Sequence, residues 1–173
     1  RRVSRYCNGW GHGPLVMIDR LSPESFPAAF ERTLRLSPFA RRTAAARPHL
    51  AQALAASGAA PLSRADLEAA LAGVPPGDLA ALASAMRELR ARAMLTLIHR
   101  DLAGLASLDE VVSTVTALAE TTIGAAVAAA HAEAAAQHGE PARGERLLVV
   151  GMGKLGGGEL NVSSDVDLVF LHA

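Results

Sequence analysis

Two aspartates spaced by one residue, Asp165 and Asp167, stand between a glycine-rich stretch and the apolar run Leu168-Val-Phe170. On a β-strand, residues i and i+2 share a face. The spacing therefore predicts a strand that carries both carboxylates side by side, with Val166 and Leu168 turned towards a core. Adjacent carboxylates repel each other unless a cation lies between them. Their hard oxygens suit Mg²⁺, which is commonly held by one or two carboxylates and completed by substrate phosphates. Just upstream, Gly151-Met-Gly-Lys-Leu-Gly-Gly-Gly158 offers backbone N–H groups that can approach phosphate closely. A phosphate cradle beside a metal-binding carboxylate pair is equipment for nucleotidyl or phosphoryl transfer.

These groups need a strand, a turn and a second strand to position them. Leu147-Leu-Val-Val150 reads as a buried strand leading into the turn. Gly151-x-Gly153-x-x-Gly156 matches the dinucleotide-binding pattern, but that pattern requires a crossover helix before the next strand. The aspartates arrive within nine residues of Gly156, which leaves no room for one. A P-loop fails as well, because Gly153-Lys154 is followed by Leu155 and the GxxxxGK spacing is absent. A glycine-rich hairpin with two exposed aspartates is the bland alternative. The conjunction of strand, glycine cluster, Ser163-Ser164 and Asp-apolar-Asp-apolar instead fits a nucleotidyltransferase signature, with Lys154 standing where Ser or Gly is usual.

Upstream the chain reads as helix after helix. Ser22-Pro23 predicts a helix running to about Leu36, and Ser37-Pro38 opens another, which Pro48 should end or kink and Gly58 should stop. Ser63-Arg-Ala-Asp66 resembles a capping box for a short helix ending at Gly73, before the turn Pro75-Pro-Gly77. A long helix is expected from Asp78 to Leu102, burying Leu79, Leu82, Met86, Leu89, Ala93 and Leu97. Arg87, Glu88, Arg90, Arg92 and Arg100 lie mostly off that stripe. They read as a solvated face, although such a basic run could touch phosphates. Ser107-Leu-Asp-Glu110 caps a last helix that reaches His138 and stops at Gly139. His99, His131 and His138 form no metal-ligand pair by spacing and read as surface or satisfied core residues.

These readings give an α+β chain: an irregular leader over residues 1–21, a helical segment over 22–139, and the opening of a mixed catalytic sheet over 145–173. Tyr6, Trp10 and His12 in the leader could suggest a small site, but an unstructured tail is the preferred reading. The chain starts with Arg1 and stops soon after the aspartate pair, which reads as a fragment or an incomplete gene product. Half of the residues are hydrophobic (50%), with Ala the commonest, while 17 basic and 17 acidic side chains balance. That balance gives no general electrostatic reason to bind nucleic acid or a membrane surface. The apolar run from Val111 to Ala136 is interrupted by Glu120, His131 and Glu133 and is too weakly hydrophobic to read as a membrane span. The single cysteine, Cys7, excludes an internal disulfide and fits a reducing cytosol.

Gly151-Met-Gly-Lys-Leu-Gly-Gly-Gly-Glu-Leu-Asn-Val-Ser-Ser-Asp-Val-Asp-Leu-Val-Phe170 closely resembles the signature of the glutamine synthetase adenylyltransferase/adenylyl-removing enzymes, within the DNA polymerase beta-like nucleotidyltransferase superfamily. A weaker resemblance extends upstream through Ser37-Pro-Phe-Ala-Arg, Arg47-Pro-His-Leu50, Met86-Arg-Glu-Leu-Arg-Ala-Arg92 and Ala117-Leu-Ala-Glu-Thr121. That family repeats its catalytic domain, and Gly-Gly-Gly-Glu-Leu-Asn with Ser-Ser resembles the N-terminal copy, which removes AMP from a tyrosine of glutamine synthetase by phosphorolysis, giving ADP. The resemblance implies a cytoplasmic enzyme with catalytic, metal-binding Asp165 and Asp167. It implies Mg²⁺ or Mn²⁺ as cofactor, and Gly153, Lys154 and Ser164 on the phosphates. The implied partners are glutamine synthetase, ATP or ADP, phosphate and a PII-type signalling protein. A third carboxylate is expected on a strand beyond residue 173, so the chain by itself should be inactive. The competing class is a non-enzymatic helical interaction module with a structural glycine-rich tail.

Overall fold

The computed structural model describes residues 25–142 and 147–172. Among them the chain is mostly helical, with a small antiparallel sheet at its C-terminal end. Ser22 and Pro23, like Tyr6, Trp10 and His12, lie outside the described residues. The first helix, α1, spans Phe26–Leu36, with Ser25 at its N-cap and Pro27 in its first turn. This helix is entered through Ser25-Phe-Pro27.

The next expected helix is two. α2 spans Pro38–Ala46 and α3 spans Pro48–Ala56, with Arg47 between them at φ −137°, ψ 71°. The ring of Pro48 forbids the helical region to the residue before it, and the chain breaks there. Ser37 caps α2 by accepting from the Ala40 N–H at 3.1 Å. α3 ends in a Schellman motif: the Gly58 N–H donates to the Ala55 carbonyl and the Ala59 N–H to that of Leu54. α4 spans Arg64–Ala72 and begins with the complete Ser63/Asp66 capping box. α5 spans Leu79–Leu102 behind an Asp78 cap, and α6 spans Leu108–His138 between Ser107 and Gly139.

α5 is the axis of the bundle and touches α1, α2, α3, α4 and α6. Leu82, Leu89, Ala93 and Leu97 are buried as expected, whereas Leu79 is 41% exposed at the helix start. Towards its C-terminus the helix is surrounded, so burial spreads beyond one stripe to Met94, Leu95, His99 and Arg100. Arg100 therefore corrects the reading of a solvated charged face. Its guanidinium forks onto Glu110, with Nη2 to Oε2 at 2.8 Å, and donates to the carbonyls of Ala59 and Leu105. Bidentate pairing and carbonyl acceptors make its burial tolerable. His99 is a satisfied core residue. The Thr33 hydroxyl gives its hydrogen to the Ala29 carbonyl at 2.9 Å, so the His99 Nδ1–H donates to Thr33 Oγ1 at 3.0 Å. Phe26 and Phe30 pack edge-on against its ring.

Length and composition alone would let α6 cross a membrane, with a window of mean hydropathy 1.5. Its first half is instead bundle core, with Val111 and Thr114 to Leu118 buried.

Candidate functional site: the glycine turn and the aspartate pair

The helical bundle meets the C-terminal hairpin through one cluster. Leu97 of α5 and Val115 of α6 pack on Leu155 and Leu160, and Leu168 closes the contact. The hairpin consists of β1, Leu147–Gly151, paired antiparallel with β2, Leu168–His172, in the register Val149↔Phe170 and Gly151↔Leu168. Between them Gly153–Gly156 forms a single helical turn, α7.

The glycines in this turn have different tasks. Gly153 sits at φ +52°, a left-handed conformation that side chains resist. At Gly156 a Cβ would lie 2.5 Å from the Gly151 carbonyl oxygen, so the chain folds back on itself more tightly than any other residue allows. Leu155, between them, is buried and pins the turn to α5 and α6. The sequence reading missed this anchor. Its signal was a large apolar side chain set directly before the Gly156-Gly-Gly158 run.

Asp165 and Asp167 do not lie within a strand. β2 starts at Leu168, and both aspartates occupy the segment before it. The reason is the partner strand: β1 ends at Gly151, where the chain enters α7, so only one further ladder bond forms, from the Met152 N–H to the Asp167 carbonyl at 2.9 Å. That bond fastens the start of the glycine turn to the aspartate pair. Both carboxylates are exposed. Val166, expected in a core, is 41% exposed and lines a cleft with Ser164, whereas Leu168 does pack on the Leu155 cluster.

Residues 161–164 form a self-closed turn. Asn161 Oδ1 accepts from the N–H and the hydroxyl of Ser163, and Ser164 Oγ accepts from the Asn161 N–H at 3.1 Å. Lys154 is exposed at the start of α7. The structure thus joins Gly153 and Lys154 to the aspartate end of the hairpin and sets Ser164 on the cleft wall that faces α5. Among the described residues no three His, Cys, Asp or Glu side chains cluster as a metal site. Two exposed carboxylates still suit an ion that keeps several waters, as Mg²⁺ does. A larger open groove of about 1040 Å³ runs between the second half of α6 and the sheet, lined by Ile123, Val127, His131, Leu147 and Val149.

The arrangement is a helical bundle pinned to a hairpin whose glycine turn is fastened to an aspartate pair. The family profile described as glutamate-ammonia ligase adenylyltransferase matches residues 28–173. The chain is 51% identical over 150 residues to the bifunctional glutamine synthetase adenylyltransferase/adenylyl-removing enzyme of Burkholderia mallei, covering 81% of this chain and 16% of that protein. Its identity to the like-named proteins of Chromobacterium violaceum and Thioalkalivibrio sulfidiphilus is 45% and 43%, over 87% and 90% of this chain and 17% of each relative. The chain belongs to the glutamate-ammonia ligase adenylyltransferase family, a family of nucleotidyl-transferring enzymes. It spans less than a fifth of the length of these relatives.

Proposed function

We propose that this chain carries the nucleotidyl-transfer signature of a metal-dependent enzyme acting on glutamine synthetase, and that this copy removes AMP. The observation that supports it best is the Met152-to-Asp167 main-chain bond, which holds the glycine turn and the aspartates at one end of the hairpin. The relatives' name pairs attachment with removal. The run Gly156-Gly-Gly-Glu-Leu-Asn161 before Ser163-Ser164 favours removal by resemblance.

In this reading Asp165 and Asp167 hold Mg²⁺ or Mn²⁺, which supplies charge neutralisation at the phosphoryl oxygens. Gly153 offers its backbone and Lys154 a mobile point charge to phosphate. Ser164 Oγ, while accepting from the Asn161 N–H, keeps its own hydrogen to donate to a phosphate oxygen. A phosphate oxygen attacks the AMP phosphorus, the bond to the tyrosine oxygen breaks, and ADP leaves. ATP and a PII-type protein, as further ligands, and a cytoplasmic setting complete the proposal. The hairpin would open a larger mixed sheet that brings a third carboxylate. By resemblance to the family, that third carboxylate would complete the preorganisation that in-line transfer needs.

The test uses an enzyme of full family length carrying this segment. Asp165→Ala and Asp167→Ala should each slow AMP release from adenylylated glutamine synthetase by about 100-fold or more, the scale of losing several kcal/mol of charge stabilisation. Both side chains are exposed, so the unfolding midpoint should not move. Undiminished release by either variant would reject the assignment.

A further inference from the structure

On the α5 side of the 161–166 turn lies a second cavity, a cleft of about 360 Å³ between α5, α6 and that turn. Its floor is apolar, built from Met94, Val115, Leu118 and Leu160. Its rim carries Arg87 and Arg90, three residues apart and therefore on one helix face. Neither guanidinium makes an ion pair among the described residues. Glu88, the acid between them, is committed to Arg47 and His49. The Arg90 guanidinium carbon lies 5.9 Å from the Phe39 ring centroid, a stacking contact that orients its donors.

Two uncompensated cations over an apolar floor, in a volume at the small end of ligand pockets, define a chemistry. We infer that this cleft is a second ligand site that adjoins the aspartate pair across Ser164, for a small molecule with an apolar body and one oxyanion head, carboxylate or phosphate. The head meets Arg87 and Arg90, and the body replaces water on Met94, Val115, Leu118 and Leu160. The far wall is formed by Ser164 and Val166, the two neighbours of Asp165. An occupant therefore bears on the segment that sets Asp165, and the two sites are coupled in both directions. Only this coupling rests on the proposed function; binding does not.

Labelling of the chain by phenylglyoxal, mapped by peptide mass spectrometry, tests binding without activity. The probes are butyl phosphate, valerate and inorganic phosphate. One alkyl probe should slow labelling of Arg87 and Arg90 about fivefold at four times its Kd, while exposed Arg41 and Arg42 are unaffected. The better alkyl head identifies phosphate or carboxylate as the natural group. Inorganic phosphate at the same concentration should protect far less, and Arg87→Gln with Arg90→Gln should abolish the calorimetric binding signal. Uniform slowing of all arginines, equal protection by inorganic phosphate, or no protection by either alkyl probe would each overturn the proposal. Those results would leave the AMP-release test untouched, so the two readings fail separately.

Discussion

His99 shows how one buried side chain imposes a pH response on the whole bundle. Its pKa is lowered from 6.5, first by burial and then by the nearby charges of Arg100 and Arg32. Below about pH 6.5 the unfolded chain takes up a proton that the folded chain refuses, so stability falls as pH falls through that value towards the depressed folded pKa. The carboxylates of Glu88 and Glu110 act in a lower window. Hydrogen bonds from His49 and Arg100 respectively lead in lowering them from 4.5, so their contribution is lost only below that pH. Urea unfolding between about pH 7.5 and 5 should therefore show a decline that His99→Leu removes, even though the variant starts less stable. An unchanged slope in His99→Leu would place the titration elsewhere. Neither the burial of His99 nor that of Arg100 was legible in the sequence, because both depend on partners far along the chain, Thr33 and Ala59.

At the scale of elements, local chemistry governs and the sequence speaks more clearly. Ser63 and Asp66 exchange backbone and side-chain bonds at the start of α4, whereas the Ser25 side chain makes no cap bond to α1. Ser63→Ala should cost about 1 kcal/mol in urea unfolding, and Ser25→Ala should stay within about 0.5 kcal/mol. Equal costs would mean that cap geometry does not decide either helix end. Ser37, Ser63 and Ser107 were readable as caps because each acts within three residues of itself. Pro48 was readable as a break for the same reason. The aspartates were misplaced onto a strand because their two-residue spacing is local but the end of the ladder is not. β2 can extend only as far as β1 accompanies it, and Leu155 turns β1's continuation into α7. What the sequence offered for the candidate site was a set of expected members, Gly153, Lys154, Ser164, Asp165 and Asp167. Separation of Ser164 onto the cleft wall required the fold.

The whole molecule is uneven in its packing. Three apolar clusters hold the helices and the inner edge of the hairpin, while Leu148, Val169, Phe170 and Leu171 remain 40–60% exposed. Exposed apolar strands of this kind pair with further polypeptide when it is present. α6 spans both regimes, and at about 1.5 Å per residue its 31 residues make a rod of about 46 Å. Its first half is clamped by α4 and α5, Ala125 still packs on their shared cluster, and the part beyond it is mostly exposed. At the changeover lies Gly124, where a Cβ would meet nothing within 4 Å. No packing reason holds a glycine there, and glycine is the residue that weakens a helix most after proline. The rod is thus a cantilever with a soft point next to its mounting. A 10° bend at Gly124 would swing the tip by about 4 Å over the roughly 21 Å that follow, enough to widen or narrow the groove above β1. Gly124→Ala should stiffen the beam by about 1 kcal/mol and slow amide exchange over residues 125–138, with little change over 108–120. If exchange beyond residue 124 is unaltered, the free half bends elsewhere or not at all.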